Sequence, residues 1–156
     1  MTIDGTMKIK TLANFWIFEV KPTIDKALET APAEKLDWMP APEMITLGNI
    51  FMHIAEASSW WIDKVIDGGN YVNLTPCKCP PKDRIAEMLE GHWQRLERLF
   101  SRSPEIFEKS YELKRKDKIN KYEGYWIMLH LFEHDIHHRS QANHYLRILG
   151  ITPPRI

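Results

Sequence analysis

Four histidines lie within nine residues near the carboxyl-terminal end of the chain: His130, His134, His137 and His138. Neutral imidazole is the side chain that most often binds metal ions in proteins. Residues four apart share one face of an α-helix, so His134 and His138 can bind a single ion together. Helical zinc enzymes use the same His-x-x-x-His spacing, although here no glutamate follows the first histidine. Because an open catalytic site usually has three protein ligands, the third must come from elsewhere in the chain.

Hydrophobic periodicity predicts four long helices that must position these histidines. In order, they run from about 10 to 30, from 46 to 66, from 80 to 102 and from 122 to 149. Pro22 lies inside the first pattern and predicts a kink or a break near Lys21. Thr46 is the expected N-cap of the second helix, and Gly150 is the expected left-handed cap after the fourth.

The segment 105–123 is charged and irregular, and we interpret it as a crossover connection with at most a short extended piece. Its basic run Lys114–Lys118 could form an anion-binding patch, but neighbouring acidic residues cancel the field and favour a solvated loop. Four helices without a convincing strand pattern predict an all-α fold, a four-helix bundle with a long crossover connection. We expect a single domain over residues 1–156, with residues 1–9 as a flexible N-terminal tail.

The composition restricts the class of protein. Lys and Arg number 21, as do Asp and Glu, so the formal net charge is zero and no overall field would recruit nucleic acid. The amino-terminal residues lack the apolar core of a signal peptide, and no apolar run approaches the roughly 20 residues that span a bilayer. We therefore expect a cytoplasmic protein with no nucleic-acid or membrane partner.

Two cysteines, Cys77 and Cys79, are separated by one residue and do not form the disulfide framework of a secreted protein. A pair of reduced loop thiols is the favoured interpretation. The alternative is that Cys79, which lies just ahead of a predicted helix start, has a lowered pKa and some reactivity.

Ligand sites in helical bundles are built from side chains that face the core. At about 100° per residue, His134 and His138 lie within the apolar stripe of their helix, whereas His137 is displaced toward a polar edge. His53 and His92, on the second and third helices, each have apolar residues three or four positions away, so both could face inward. Three imidazoles in an apolar core without an ion would leave costly unsatisfied nitrogens, which favours a metal site.

Three carboxylates lie near the candidate ligands in the sequence. Asp135 and Glu133 flank His134 but point about 100° away from it, which argues against direct ligation. Glu56, three residues after His53, could support a ligand or act as a general base, but isolated carboxylates usually stay exposed, which favours a solvent-facing position. Four aromatic residues could wall a pocket above the ion, although such residues more often belong to the core: Trp60, Trp61, Trp126 and Tyr145.

Two motifs resemble those of a known family. The segment Asp37–Ala57, DWMPAPEMITLGNIFMHIA, resembles the opening motif of DinB-like proteins, which ends on their first metal histidine. The segment His134–Gly150, HDIHHRSQANHYLRILG, followed by Pro153–Pro154, resembles the closing motif of the same family. The resemblance extends from about residue 12 to 154, and the two motifs have the expected separation.

The resemblance implies a DinB/YfiT-like four-helix bundle, usually dimeric, that binds one divalent ion through His53, His134 and His138. Imidazole suits zinc, nickel and iron alike, so the identity of the metal stays open. Members commonly have His-His-Arg-Gly-Gln in the closing motif, and here Ser140 replaces the glycine. That replacement should leave the ligands intact but alter close helix packing near the site.

Characterised relatives include thiol-dependent S-transferases and maleylpyruvate isomerases. The resemblance therefore implies a metal-dependent transferase or hydrolase, a homodimer, that activates a thiol or water toward a small electrophilic substrate. A divalent ion with open positions can create such a nucleophile near neutral pH, and a low-molecular-weight thiol would serve as co-substrate. The alternative is a non-catalytic metal-binding or dimerisation module.

Overall fold

The structure, a computed structural model, describes residues 5–71, 73–74 and 78–155, and within these ranges the chain is mostly helical. The helices are α1 (Gly5–Phe15), α2 (Lys21–Thr30), α3 (Leu47–Ser58), α4 (Lys82–Phe100), α5 (Glu105–Glu108) and α6 (Gly124–Ile148). Two π-helical segments, Trp16–Val20 and Ser59–Ile66, follow α1 and α3. The strands β1 (Ser110–Arg115) and β2 (Lys118–Glu123) form an antiparallel pair.

The first helical region changes its winding where the sequence predicts a kink. The π-helical segment Trp16–Val20 joins α1 to α2, and Pro22 lies in the first turn of α2. Proline has no N–H, and its ring would collide with the carbonyl of the residue four positions earlier, so a wider turn here relieves both problems. This region begins at Gly5, earlier than the predicted start near Lys10, and residues 1–4 of the predicted tail lie outside the described residues.

The second helical region begins and ends as predicted. The Thr46 hydroxyl accepts a hydrogen bond of 3.2 Å from the backbone N–H of Asn49, which confirms it as the N-cap of α3. The helix continues through the π-helical segment to Ile66. Gly68 then adopts a φ of 69°, a left-handed conformation that favours glycine, and the helical region ends there.

The prediction of an all-α fold is wrong in one place: most of the segment expected to be a crossover loop forms a β-hairpin. Side chains of β1 and β2 meet in register, with Tyr111 opposite Tyr122 and Glu112 opposite Lys121. The charged pair lies 2.9 Å apart, and Leu113 is buried against the helices. Alternation with period two was present in the sequence, but it was masked because most of the alternating residues are polar.

Helix α6 packs against α2, α3 and α5 and carries two of the three candidate ligands. It ends as predicted at Gly150, whose φ is 76°, and the N–H of Ile151 donates to the carbonyl of Leu146 at 2.9 Å. The buried faces of the π-helical segments and of α2, α3, α4 and α6 share one apolar core. In the part of the chain that the structure describes, no helix combines the length and apolar character needed to cross a membrane.

Replacing Gly124 with alanine should destabilise the protein. An added Cβ would overlap the backbone carbonyl oxygen of Ile106 and lie 2.7 Å from the Cα of Phe107, and neither can rotate away. We expect the free energy of unfolding in urea to fall by about 1–3 kcal/mol. The control is Gly91→Ala in α4, where the nearest atom is the flexible Nη1 of Arg95 at 3.4 Å and a gain of about 0.5–1 kcal/mol is expected. Wild-type stability in the Gly124 variant would contradict the structure.

Candidate metal centre

Three histidines from two helices converge at the surface of the core. His53 projects from α3, and His134 and His138 project from consecutive turns of α6. One potential ligand atom from each lies within 4.8 Å of those of the other two, and the ring centroids are 4.4–4.8 Å apart. Among the residues that the structure describes, this is the one such group of metal-ligating side chains. The structure thus brings together the three residues that the sequence singles out.

Each of these imidazoles faces an oxygen through its Nδ1 atom. The Nδ1 of His138 lies 2.9 Å from Oε1 of Gln141, which is hydrogen-bond distance. The Nδ1 of His53 lies 3.7 Å from Oε2 of Glu56, and that of His134 lies 3.9 Å from Oδ1 of Asp135, so these two contacts are electrostatic. The amide oxygen of Gln141 can only accept, so it holds the proton of His138 on Nδ1 and leaves Nε2 as the lone-pair donor, as in many metal-bound histidines.

Two of the three histidines, His53 and His138, have the charge state that a bound cation requires. Burial lowers the pKa of His138 to about 4, with a further contribution from His134. Burial and the same neighbour lower the pKa of His53. Both imidazoles are therefore neutral near pH 7, and a neutral imidazole is the form that binds metal.

The spacing fits an ion after a small adjustment. Zinc–imidazole bonds of about 2.1 Å place two nitrogens about 3.4 Å apart in a tetrahedral site, so side-chain rotation would have to close the separations by about 1.4 Å at most. The His134 side chain is 12% exposed and that of His53 is 44% exposed. His53 is therefore less buried than the sequence suggests, and the centre is open to solvent on one side.

The remaining histidines occupy distinct surroundings. His92, the alternative third ligand, is fully buried and contacts Asp135 instead of the other imidazoles. His130 stacks on Trp126, with ring centroids 4.9 Å apart, and its pKa is lowered by burial and by His134. His137 borders the cluster through an edge contact with His138, also at 4.9 Å. His144 is exposed and bonded to the backbone of its own helix.

A buried carboxylate behind the cluster was not anticipated from the sequence. Asp135 is fully buried, and its Oδ2 accepts hydrogen bonds from Trp16 Nε1 at 2.7 Å and from His92 Nε2 at 2.9 Å. Burial opposes ionisation, but the charge of His92 and these two donors outweigh it, and the pKa of Asp135 lies below its ordinary value. The sequence predicted that Asp135 points away from the ligand face of the helix, which agrees with the structure. It did not predict that the side chain points into the core.

Glu56 is buried, which corrects the predicted solvent-facing position. It is 9% exposed and accepts a short hydrogen bond from the Tyr71 hydroxyl. This bond, together with burial, raises the pKa of Tyr71 to about 12, so the phenol stays protonated and keeps donating. The spacing of three residues from His53 was the only sequence feature that pointed to this carboxylate.

Two cavities adjoin the histidine cluster on different sides. One, of about 500 Å³, is lined by His53, Glu56, Ala57, Trp60, Trp61, Tyr71, Arg115, His130 and His134. The other, of about 420 Å³, is lined by Glu43, Met44, Ile45, Asn49, His53, His137, His138 and Gln141. We name the first the aromatic cavity. Both volumes fall in the range of small-molecule sites, and His53 is common to the two.

The four aromatic residues considered as pocket walls divide into two groups. Trp60 and Trp61 line the aromatic cavity, and Trp126 packs against Trp61 with ring centroids 5.4 Å apart. Tyr145 belongs to the core, where its hydroxyl donates to the carbonyl of Ile45 at 3.2 Å. Ser140, at the position of the common family glycine, is exposed on α6.

The alternative of a reactive Cys79 is wrong. Its thiol is buried 3.1 Å from the Thr46 hydroxyl, and burial raises its pKa. Its backbone N–H donates to Asp37 at 3.0 Å, so the residue ties this loop to the start of α3. Cys77 lies outside the described residues.

A sequence model of the DinB family matches residues 7–156, so the chain belongs to the DinB family and the predicted resemblance is confirmed. A solved DinB-like protein from Bacillus cereus is 19% identical with a TM-score of 0.70, and the match covers 99% of this chain and 97% of that one. The DinB-like protein YjoA from Bacillus subtilis is 18% identical with a TM-score of 0.69, covering 93% and 96%. At these identities the likeness shows a common fold. A comparison with curated proteins found no match. Family membership and the histidine cluster together suggest metal binding.

Proposed function

We propose that this protein is a metal-dependent enzyme in which His53, His134 and His138 hold one divalent ion, zinc, nickel or iron, beside the aromatic cavity. The observation that carries the proposal is the convergence of three imidazoles at the boundary of two cavities of substrate size. When bound, the ion would act as a Lewis acid with open positions and lower the pKa of a thiol or of water.

The chain's own residues would perform the remaining tasks. Gln141 accepts from His138 Nδ1 and so orients that ring. Glu56 is the carboxylate among the residues that line the aromatic cavity, and it is therefore placed to receive a proton from an incoming thiol or water. Trp60 and Trp61 present ring surfaces that would hold an apolar substrate and keep water away from it.

We propose transfer of a low-molecular-weight thiol as the reaction, with hydrolysis as the version in which water replaces the thiol. With an activated aryl chloride, the carbon–sulfur bond forms, the carbon–chlorine bond breaks and chloride leaves. The thiol proton passes to Glu56 and then to solvent. The proposed reaction uses no cysteine of the protein, and Cys79, the cysteine that the structure describes, lines neither cavity.

We expect the protein loaded with zinc, nickel or iron to consume glutathione in the presence of an activated aryl chloride, and to stop when a chelator removes the ion. The Cys79→Ser variant should retain the activity, because its thiol is buried away from both cavities. Thiol titration over time measures the rate. Turnover without metal, or its loss in a folded Cys79→Ser variant, would reject the mechanism.

A non-catalytic metal-binding module is the competing function, and it predicts that the protein binds one equivalent of metal but shows no turnover on thiol acceptors or esters.

For the fold we propose a four-helix bundle, which is supported by the mutual packing of α2, α3, α4 and α6. For the assembly we propose a homodimer, which is supported by large exposed apolar side chains such as Phe18 and Leu129.

A further inference from the structure

We propose that the aromatic cavity binds a small molecule that joins a flat apolar part to a carboxylate group, with Arg115 as the residue that binds the carboxylate. This inference deepens the proposed function, because it names the chemical class of substrate that the same site would take. It concerns a residue of the hairpin, the part of the fold that sequence periodicity did not reveal.

Arg115 reaches the cavity because the hairpin places it there. It is the last residue of β1 and pairs in register with Lys118, and it lines the cavity together with His53 and His134. Its guanidinium carbon lies 5.2 Å from the ring centroid of Trp60, within the range of a cation–π contact. The basic run that the sequence assigned to a solvated loop therefore places one cation at the wall of the candidate site.

The guanidinium of Arg115 has no carboxylate partner within the described part of the chain. Arg95 and Arg102, by contrast, pair with Asp63 and Asp67 at 2.7 and 2.5 Å. A guanidinium is always charged, and its planar fork of donors matches the two oxygens of a carboxylate. Arg115 is thus a charged, directional donor group beside a cavity, with its donors available to a ligand.

The walls around Arg115 favour a flat ligand. Trp60 and Tyr71 meet edge to face with ring centroids 4.8 Å apart, and Trp61 lines the same cavity. Lys64 places its ammonium nitrogen 4.8 Å from the Trp60 centroid and adds a second positive charge near this wall. Ring surfaces bordered by cations would bind an aromatic or conjugated anion through both stacking and charge.

The remaining charges in the cavity do not cancel this preference. Among the described residues that line the cavity, Glu56 is the acidic one, and it is already engaged by the Tyr71 hydroxyl and by the nearby His53. The second cavity has no lysine or arginine among its lining residues and includes Glu43. An anionic ligand is therefore directed to the aromatic cavity, on the side of the cluster where Arg115 lies.

The test compares benzoate with benzamide, which share shape and ring but differ in charge. Binding is measured by calorimetry on the full-length protein, once in chelator and once loaded with zinc. We expect benzoate to bind about tenfold more tightly than benzamide in both conditions, since charge-assisted bidentate hydrogen bonds are about twice as strong as neutral ones. Arg115→Gln should remove most of this preference and leave benzamide unchanged.

Lys114→Gln is the matched control, because it removes the same charge from the neighbouring, exposed position of β1, where the side chain points to the opposite face of the hairpin. It should keep the preference for benzoate. Equal affinities for the two probes, or a preference that Arg115→Gln leaves intact, would overturn the inference. The measurement in chelator tests the role of Arg115 without any metal. If the protein then fails to take up zinc but shows the Arg115-dependent preference in chelator, only the proposed metal centre is refuted.

Discussion

Replacing His134 with alanine will abolish stoichiometric binding of a divalent ion. The ring centroid of His134 lies 4.8 Å from that of His53 and 4.4 Å from that of His138. Its removal leaves two imidazoles on different helices, and two ligands are fewer than the three that open metal sites usually have. Elemental analysis after dialysis against a chelator should show about one equivalent in the wild type and almost none in the variant.

The control is His144→Ala, which removes an exposed histidine of the same helix whose Nδ1 lies 2.7 Å from the carbonyl oxygen of Ser140. It should retain a full equivalent. Retention of metal by the His134 variant would show that another set of residues holds the ion. His130 and His137 border the cluster and line its two cavities, so their replacement should have much smaller effects than that of a ligand.

Replacing Asp135 with alanine will produce the largest loss of stability among single changes in the polar core. The substitution leaves the Trp16 indole and the His92 imidazole buried without their acceptor. Because each buried donor left unsatisfied costs about 1–3 kcal/mol, we expect a loss of about 2–6 kcal/mol in all. For a chain of this length, that loss corresponds to a fall in Tm on the order of 10 °C, which calorimetry would measure.

The matched control is Asp25→Ala. Asp25 also accepts from an indole, Trp93 Nε1 at 2.9 Å, but its side chain is 39% exposed and water can replace the lost acceptor. A similar fall in Tm for both variants would contradict the special position of Asp135.

In Asp135→Asn, which keeps the shape of the side chain, we expect metal affinity to fall about 10–100-fold through the loss of the charge near His134 Nδ1. A purely structural residue would leave the metal affinity unchanged.

Periodicity and capping residues were sufficient to predict the four long helical regions, because these features act over a few neighbouring residues. They did not predict the short helix α5 or the start of α1 at Gly5. Thr46, Gly68 and Gly150 begin or end helical regions as their types require. The same local reasoning missed the hairpin, since its stability comes from the cross-strand pairs of Tyr111 with Tyr122 and of Glu112 with Lys121. Such pairs are contacts between segments, and a single strand of polar residues does not reveal them.

The candidate ligands could be chosen from the sequence, but their supporting groups could not. The four-residue spacing of His134 and His138 defines one helix face whatever surrounds it. Whether Glu56 and Asp135 are buried depends on Tyr71, Trp16 and His92, which come from other parts of the chain. Burying a carboxylate is favourable only when donors from elsewhere meet it.

Local sequence therefore accounts for the long helices, the family motifs and the pair of His134 and His138, because each depends on residue type and on spacing along one segment. Tertiary packing decided which third histidine joins the pair, since His53 and His92 have similar apolar neighbours in sequence and differ only in what faces them. It also brought Arg115 to the cavity, through a strand whose register is set by its partner. Positions that depend on two distant segments at once are determined by the packing free energy of the whole fold.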